Sequence, residues 1–329
     1  MAYVKKRSLR NIKKARTSAY RRKKLRGKKS RKRRLAQSKA KKLGLAGQLT
    51  NSNTLKDSCA PSLDNKNYTC YNDESLHKLK TAWNLRHPDN AITTNDSKEI
   101  WSLLKEHLRD LCSSERCWLN QQFIKSHLDE ELLSYTFAPT SPSNWKLNPN
   151  EWLTSTDINK VMKQYEKTYP CFAFIGPSPI DFDHRKSHGT CVWEDLCRFN
   201  LKNYISKGVN KIGIIFNLDP HYKDGSHWVS MFVNLKRKYI FYFDSNGDDI
   251  PKQVLALVER IQQQGREIGI ELKFSKNYPF EHQKGNTECG IYALYFITNL
   301  LKDNHTPEYY KTHKITDQDM EQFRKIFFN

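Results

Sequence analysis

Cys289 opens the apolar run CGIYALYFITNLL, whose composition predicts a helix. A thiol at a helix start faces the positive end of the dipole and unpaired backbone N–H groups, which favours the thiolate. Gly290 follows, removing a Cβ where a substrate carbonyl is expected to approach closely. His227 stands beside Gly225 and Ser226 at the start of a strand-like run, so its ring is expected at a sheet edge. Asp244 ends the next strand-like run, in FYFDSNG, with Asp248 and Asp249 as nearby alternatives. A carboxylate beside an imidazole fixes its tautomer and stabilises imidazolium, which in turn stabilises a thiolate. Taken singly, such a cysteine more often packs than reacts, and a surface histidine or a turn aspartate is commonplace. The chemistry requires a fold that brings all three together.

The elements that must do so are legible in outline. KIGIIFNL, HWVSMFVNL, YIFYFDS and ELKFSKN are rich in β-branched and aromatic residues and predict strands. In the second, Val229, Met231, Val233 and Leu235 alternate with Trp228, Ser230, Phe232 and Asn234, which predicts two distinct faces. The short polar link Lys236–Lys238 predicts a hairpin with the third, placing His227 and Asp244 at one end. Ser155 or Thr156 is expected to cap the helix DINKVMKQYEK, Pro251 to open PKQVLALVERIQQQ, and Thr316 with Asp319 to cap QDMEQFRKIFF. The reading is an α+β domain over residues 145–329. Ahead of it lies a helical arm over residues 76–140, where Ile100, Leu103, Leu104, Leu108 and Leu111 follow helical spacing. The Pro- and Asn-rich stretch APTSPSNWKLNPNEW separates the two.

The charge of the 329-residue chain is unevenly placed. Its net +21 comes from 56 Lys and Arg against 35 Asp and Glu, and residues 1–50 carry 21 of the basic residues and no acid. Subtracting those 21 leaves 35 basic against 35 acidic residues, so the body is formally neutral. The tail, residues 1–47, is expected to be disordered when free, and residues 48–75 read as a polar linker. Clustered Lys and Arg over residues 5–42 predict non-specific attachment to nucleic acid, with a nuclear-import signal as the plainer alternative. Only Tyr3 and Tyr20 are aromatic in the tail, so base stacking is not expected. Eight cysteines are too sparse for a disulfide scaffold, and no apolar run of about 18 residues suits a membrane span. A reducing compartment with free thiols is the expectation.

The order His227-Trp228, Asp244 seventeen residues later, then Gln283 and Cys289-Gly290 as Q-x5-C-G resembles the SUMO-protease (Ulp1-like) and adenovirus-protease superfamily. Trp152-Leu153 is similar to the start of that family's W-L-N-D motif, although W-L-T-S here departs in the last two positions. H-W-V-S-M-F-V, T-E-C-G, C-S-S-E-R-C and the closing I-T-D-Q-D-M-E-Q-F-R resemble most the polyprotein-processing proteases of large DNA viruses such as African swine fever virus. The resemblance implies a Cys289 nucleophile, His227 as acid and base, Asp244 orienting it, and Gln283 in the oxyanion hole. It also implies that Trp228 and Trp152 roof a narrow substrate channel, with cleavage after Gly-Gly or Ala-Gly. A viral structural precursor would be the substrate, in the virion and the cytoplasmic viral factory or the host nucleus. A SUMO deconjugase and an inactive nucleic-acid-binding virion protein are the alternatives. Leu45-Ala46-Gly47-Gln48 is similar to sites such proteases cut. No cofactor is expected, and the H-x3-H-x2-C-x5-C run of His184, His188, Cys191 and Cys197 fits no standard zinc module.

Overall fold

The computed structural model describes residues 58–63, 68–125 and 130–329. The basic tail and the Gly47 sequence lie outside the described residues. The N-terminal helices are α1 (Asp73–Arg86), α2 (Ser97–Leu108), α3 (Glu115–Leu119), α4 (Gln122–Lys125) and α5 (Glu130–Thr136). Their starts follow from capping side chains: Asn72, Asp96 and Ser114 each accept a backbone N–H of the first turn. Ile100, Leu104 and Leu108 are buried in a cluster with Leu76, Leu79 and Trp118. Leu111 departs from the expected stripe; it lies just beyond α2 and is 65% exposed. Part of the supposed linker is also packed. Ala60 and Tyr71 are buried, and the Ala60 N–H donates to the Thr136 carbonyl.

The remaining elements are α6 (Ser155–Thr168), β1 (Phe172–Pro179), α7 (Glu194–Cys197), α8 (Leu201–Ser206), β2 (Lys211–Asn217), β3 (Trp228–Asn234), β4 (Tyr239–Phe243), α9 (Lys252–Glu267), β5 (Lys273–Lys276), α10 (Cys289–Leu301), α11 (Pro307–Thr312) and α12 (Asp317–Phe327). The five strands form one mixed sheet in sequence order. β1 pairs parallel to β2, β2 and β3 antiparallel, β3 and β4 as the expected hairpin, and β4 parallel to β5. The sheet of this mixed α and β fold lies between helices. Val229, Met231 and Val233 join Val254, Leu257 and Ile261 of α9 in one cluster. On the other face Phe243 stacks on Phe296 of α10, 4.9 Å between centroids, and a Cβ on Gly213 would stand 2.8 Å from Ile297. Hence β3 is buried along both faces.

Every residue of α10 is buried, as its all-round apolar sequence requires. Each large side chain so buried is worth about 1.5–3 kcal/mol, so the helix that begins at Cys289 is firmly anchored in the core. Thr154, one residue earlier than expected, caps α6 through a reciprocal box with Asp157. β1 was not evident in the sequence because Pro177 and Pro179 argue against a strand; it is tolerated at the sheet edge, where the ladder shifts between Ile175 and Ser178.

Cysteine usage differs from the expectation of free thiols. Cys59–Cys70, Cys112–Cys117 and Cys191–Cys197 are disulfides, leaving Cys171 and Cys289 free. Each pair is close in sequence, with a Cα separation of 5.1–6.2 Å inside the range a bridge needs.

Candidate active site

Three ends of structure converge at the top of the β3–β4 hairpin. His227 immediately precedes β3, Asp244 immediately follows β4, and Cys289 begins α10. His227 Nε2 lies 2.7 Å from Asp244 Oδ1, and Cys289 lies near enough to act on the ring. With Nε2 turned to the carboxylate, Nδ1 is the nitrogen left for the thiol. Asp244 is therefore the carboxylate placed on His227; Asp249 pairs instead with Lys276. Burial pulls the imidazole down, but the Asp244 hydrogen bond and charge, with Cys289 acting in the same direction, outweigh it and raise the ring to about 10. It is an imidazolium at neutral pH.

Asp244 is held from both sides of its backbone. Its N–H donates to Asn277 Oδ1 at 2.9 Å, and Asn277 Nδ2 donates to its carbonyl at 2.7 Å. Oδ1 also accepts the Asn246 N–H at 2.8 Å, so the carboxylate cannot swing away without losing two bonds. The approach to His227 is shaped by Asn217, whose Oδ1 accepts the N–H groups of Asp219 and Ser226. Gly225, at φ +101°, leaves no room for a Cβ, which would meet the Asn217 amide at 2.5 Å.

Gln283 is buried and docked beside the aspartate. Its N–H donates to the Ser245 carbonyl, and its Oε1 accepts the Ser245 hydroxyl at 2.7 Å. Nε2 donates one hydrogen to the Gly285 carbonyl at 2.8 Å, which leaves the second. Preceding it, His282 is neutral: burial, assisted by the Lys314 charge, pulls it down to about 4 against the bond to the Tyr310 carbonyl. Its Nε2 donates to that carbonyl at 2.9 Å and Nδ1 accepts the Ile315 N–H.

Trp228 is buried and donates through Nε1 to the Leu153 carbonyl at 2.9 Å, whereas neighbouring Trp152 is 38% exposed. Both line a cleft of about 550 Å³ together with Glu151, Asn217, Asp224 and Gly225. Gly290 has a different reason from the one its sequence context suggested. A Cβ there would meet Leu153 at 2.9–3.0 Å, so the glycine admits Leu153 rather than a substrate carbonyl. Among the described residues no cluster of His, Cys, Asp or Glu is arranged to hold a metal, and Cys191 and Cys197 are joined to each other.

The catalytic-domain pattern of the Ulp1 protease family matches residues 149–329. The chain belongs to this family. It is a cysteine protease, and its matched region contains all the residues just described. A protein of Acanthamoeba polyphaga mimivirus that carries the name of a thiol protease is 30% identical over 293 residues, covering 82% of this chain and 92% of its own. A cysteine protease of African swine fever virus is 28% identical over 263 residues, covering 75% of this chain and 94% of its own. The crystal structure of an African swine fever virus protease superposes with a TM-score of 0.60 at 24% identity, over 85% of this chain and 98% of that one. The shared fold thus reaches ahead of the catalytic domain into the helical region.

Sequence reasoning missed Asn277, Ser245, Asn217 and the C-terminal residues that hold the Gln283 loop. No periodicity or spacing marks them. Their polarity is ordinary, and only burial reveals their work.

Proposed function

We propose that this protease acts through Cys289, His227 and Asp244, with Gln283 as oxyanion donor, to cleave after Gly-Gly or Ala-Gly sequences in viral structural precursors. The observation that carries the assignment is the Asp244–His227 hydrogen bond beside Cys289, which starts a buried helix. Cys289 attacks the scissile carbonyl as a thiolate and forms a thioester. His227 holds the thiol proton on Nδ1 and delivers it to the leaving amine, while Asp244 keeps the ring oriented. The free Gln283 Nε2 hydrogen and the Cys289 backbone N–H bind the oxyanion; each such donor is worth about 3 kcal/mol. Trp152 and Trp228 line the cleft for a segment with small residues next to the bond. The basic tail tethers the enzyme to nucleic acid in the virion or the viral factory, a reading supported by its charge.

Removal of SUMO is the second reading, favoured by the name "SUMO-1 cysteine protease" given to an African swine fever virus relative. The deciding experiment incubates wild type and Cys289→Ala with Gly-Gly-X and Ala-Gly-X peptides and with a SUMO fusion. Cleavage of peptides alone supports precursor processing, and cleavage of the fusion supports the second reading. Turnover that survives Cys289→Ala, or none by the wild type with nucleic acid present, refutes both.

A further inference from the structure

We propose that the C-terminal helix α12 is a two-point clamp on the Gln283–Cys289 loop, with Asp317 and Arg324 as positioning residues for the oxyanion donor and the nucleophile. The proposal rests on the roles given to Gln283 and Cys289 above. The loop Lys284-Gly285-Asn286-Thr287 has turn-favouring Gly285 and Asn286 at its centre, which do not by themselves fix one conformation. What selects its conformation comes from outside it.

The first point is Asp317, the first residue of α12. Its Oδ2 accepts the Gly285 N–H at 2.9 Å and the Lys284 N–H at 3.0 Å. The carbonyl of Gly285 in turn accepts Gln283 Nε2 at 2.8 Å. A single residue therefore separates the Asp317 carboxylate from the amide that would bind the oxyanion. Its Oδ1 accepts the Tyr292 hydroxyl at 3.0 Å, and Tyr292 lies one turn beyond Cys289 in α10. One carboxylate thus ties together the two sources of oxyanion donors, the Gln283 side chain and the start of α10.

Arg324, seven residues along and on the same face of α12, is the second point. Its guanidinium pairs with the Glu288 carboxylate at 3.1 Å, both side chains being less than a tenth exposed, and Glu288 directly precedes Cys289. Nη1 donates to the Glu151 carbonyl at 2.8 Å, just before Trp152, and the group sits 4.6 Å over the Trp145 ring. The same side chain therefore joins the approach to the nucleophile with the segment that carries the cleft tryptophan. The helix is itself anchored past its end. Asn329 donates its N–H to the Pro139 carbonyl at 2.9 Å and accepts the Ser141 N–H at 2.7 Å.

The test uses the full-length chain and the variants Asp317→Asn, Asp317→Ala and Arg324→Lys. Readouts are kcat and KM on a Gly-Gly-X peptide, iodoacetamide alkylation of Cys289 followed by mass spectrometry, and thermal unfolding. Asp317→Ala is expected to lower kcat about 100-fold, with KM and alkylation rate within about threefold, because alkylation develops no oxyanion. Asp317→Asn keeps one acceptor oxygen and is expected to lose about tenfold. Arg324→Lys keeps the charge but not the fork, and is expected to slow alkylation about tenfold as well as kcat. A kcat for Asp317→Ala within threefold of wild type overturns the proposal, as does a loss of kcat no larger than the loss of folded protein. If wild type cleaves no peptide, the assigned roles fail on their own account. Alkylation of Arg324→Lys at the wild-type rate would then still overturn the clamp at Cys289.

Discussion

Replacing Asp244 by asparagine keeps the side chain's shape and removes the charge that holds His227 as imidazolium. The ring stands at about 10 against an ordinary value of 6.5. Asp244 contributes both the first of the opposing hydrogen bonds and a charge, while burial pulls the other way. Assigning it rather more than half of the rise, Asp244→Asn should bring the ring down by about two pH units, about 2.7 kcal/mol at 1.36 kcal/mol per unit. The alkaline limb of kcat/KM, which reports loss of imidazolium in the free enzyme, is then expected near 10 in wild type and near 8 in the variant. Proton transfer from thiol to imidazole becomes about 100-fold less favourable by the same amount, so the plateau also falls by up to that factor. The asparagine oxygen can accept both bonds now made by Oδ1, but its NH2 would occupy the position of Oδ2, which is buried with no protein partner among the described residues. A stability loss of about 1–3 kcal/mol is expected from that and is separated by a urea melt. The assay is kcat/KM on a Gly-Gly-X peptide from pH 5 to 11. A wild-type limb near 6.5, or one that does not move in Asp244→Asn, would refute the reasoning.

The same ring makes folding stability depend on pH. Because its folded value is raised, the stabilisation is complete below about 6.5 and is lost as pH rises through about 10. The difference in urea stability between wild type and Asp244→Asn should shrink across that window; a constant difference contradicts the assignment. Trp152→Ala, at a half-exposed position, is expected to raise KM about tenfold, about 1.4 kcal/mol, with Tm changed little. Trp228→Ala, buried and bonded to Leu153, is expected to cost about 3–5 kcal/mol of stability, read by a urea melt. Thiol titration of the denatured, unreduced protein should find two reactive groups, Cys171 and Cys289, and eight after reduction; a higher first count rules out one or more of the bridges.

How much of this was legible follows from what each residue must do. The β3–β4 hairpin and the helix at Cys289 could be read because alternation, a short polar link and an unbroken apolar run are local signals. The sequence order His227, Asp244, Gln283, Cys289 could be read because the roles proposed for them, nucleophile, base and donor, restrict residue type. β1 escaped because two prolines outweigh its apolar residues until the edge of the sheet is known to lie there. Gly290 was visible but misattributed: the contact that requires it is with Leu153, more than a hundred residues away in the chain. Asp317 and Arg324 stand within a run whose capping pattern, Thr316 with Asp319, already accounts for its polar start. Nothing local distinguishes Asp317 from a helix-start acid placed for the dipole, or Arg324 from a last-turn base on the exposed side. Only tertiary contact separates those readings, since a solvated Arg324 would have no reason to meet Glu288, Glu151 and Trp145 together. The chemistry of this site is thus written locally, and the precision with which it is held is written in long-range pairs. Conservative changes at such pairs should therefore alter rate before they alter fold.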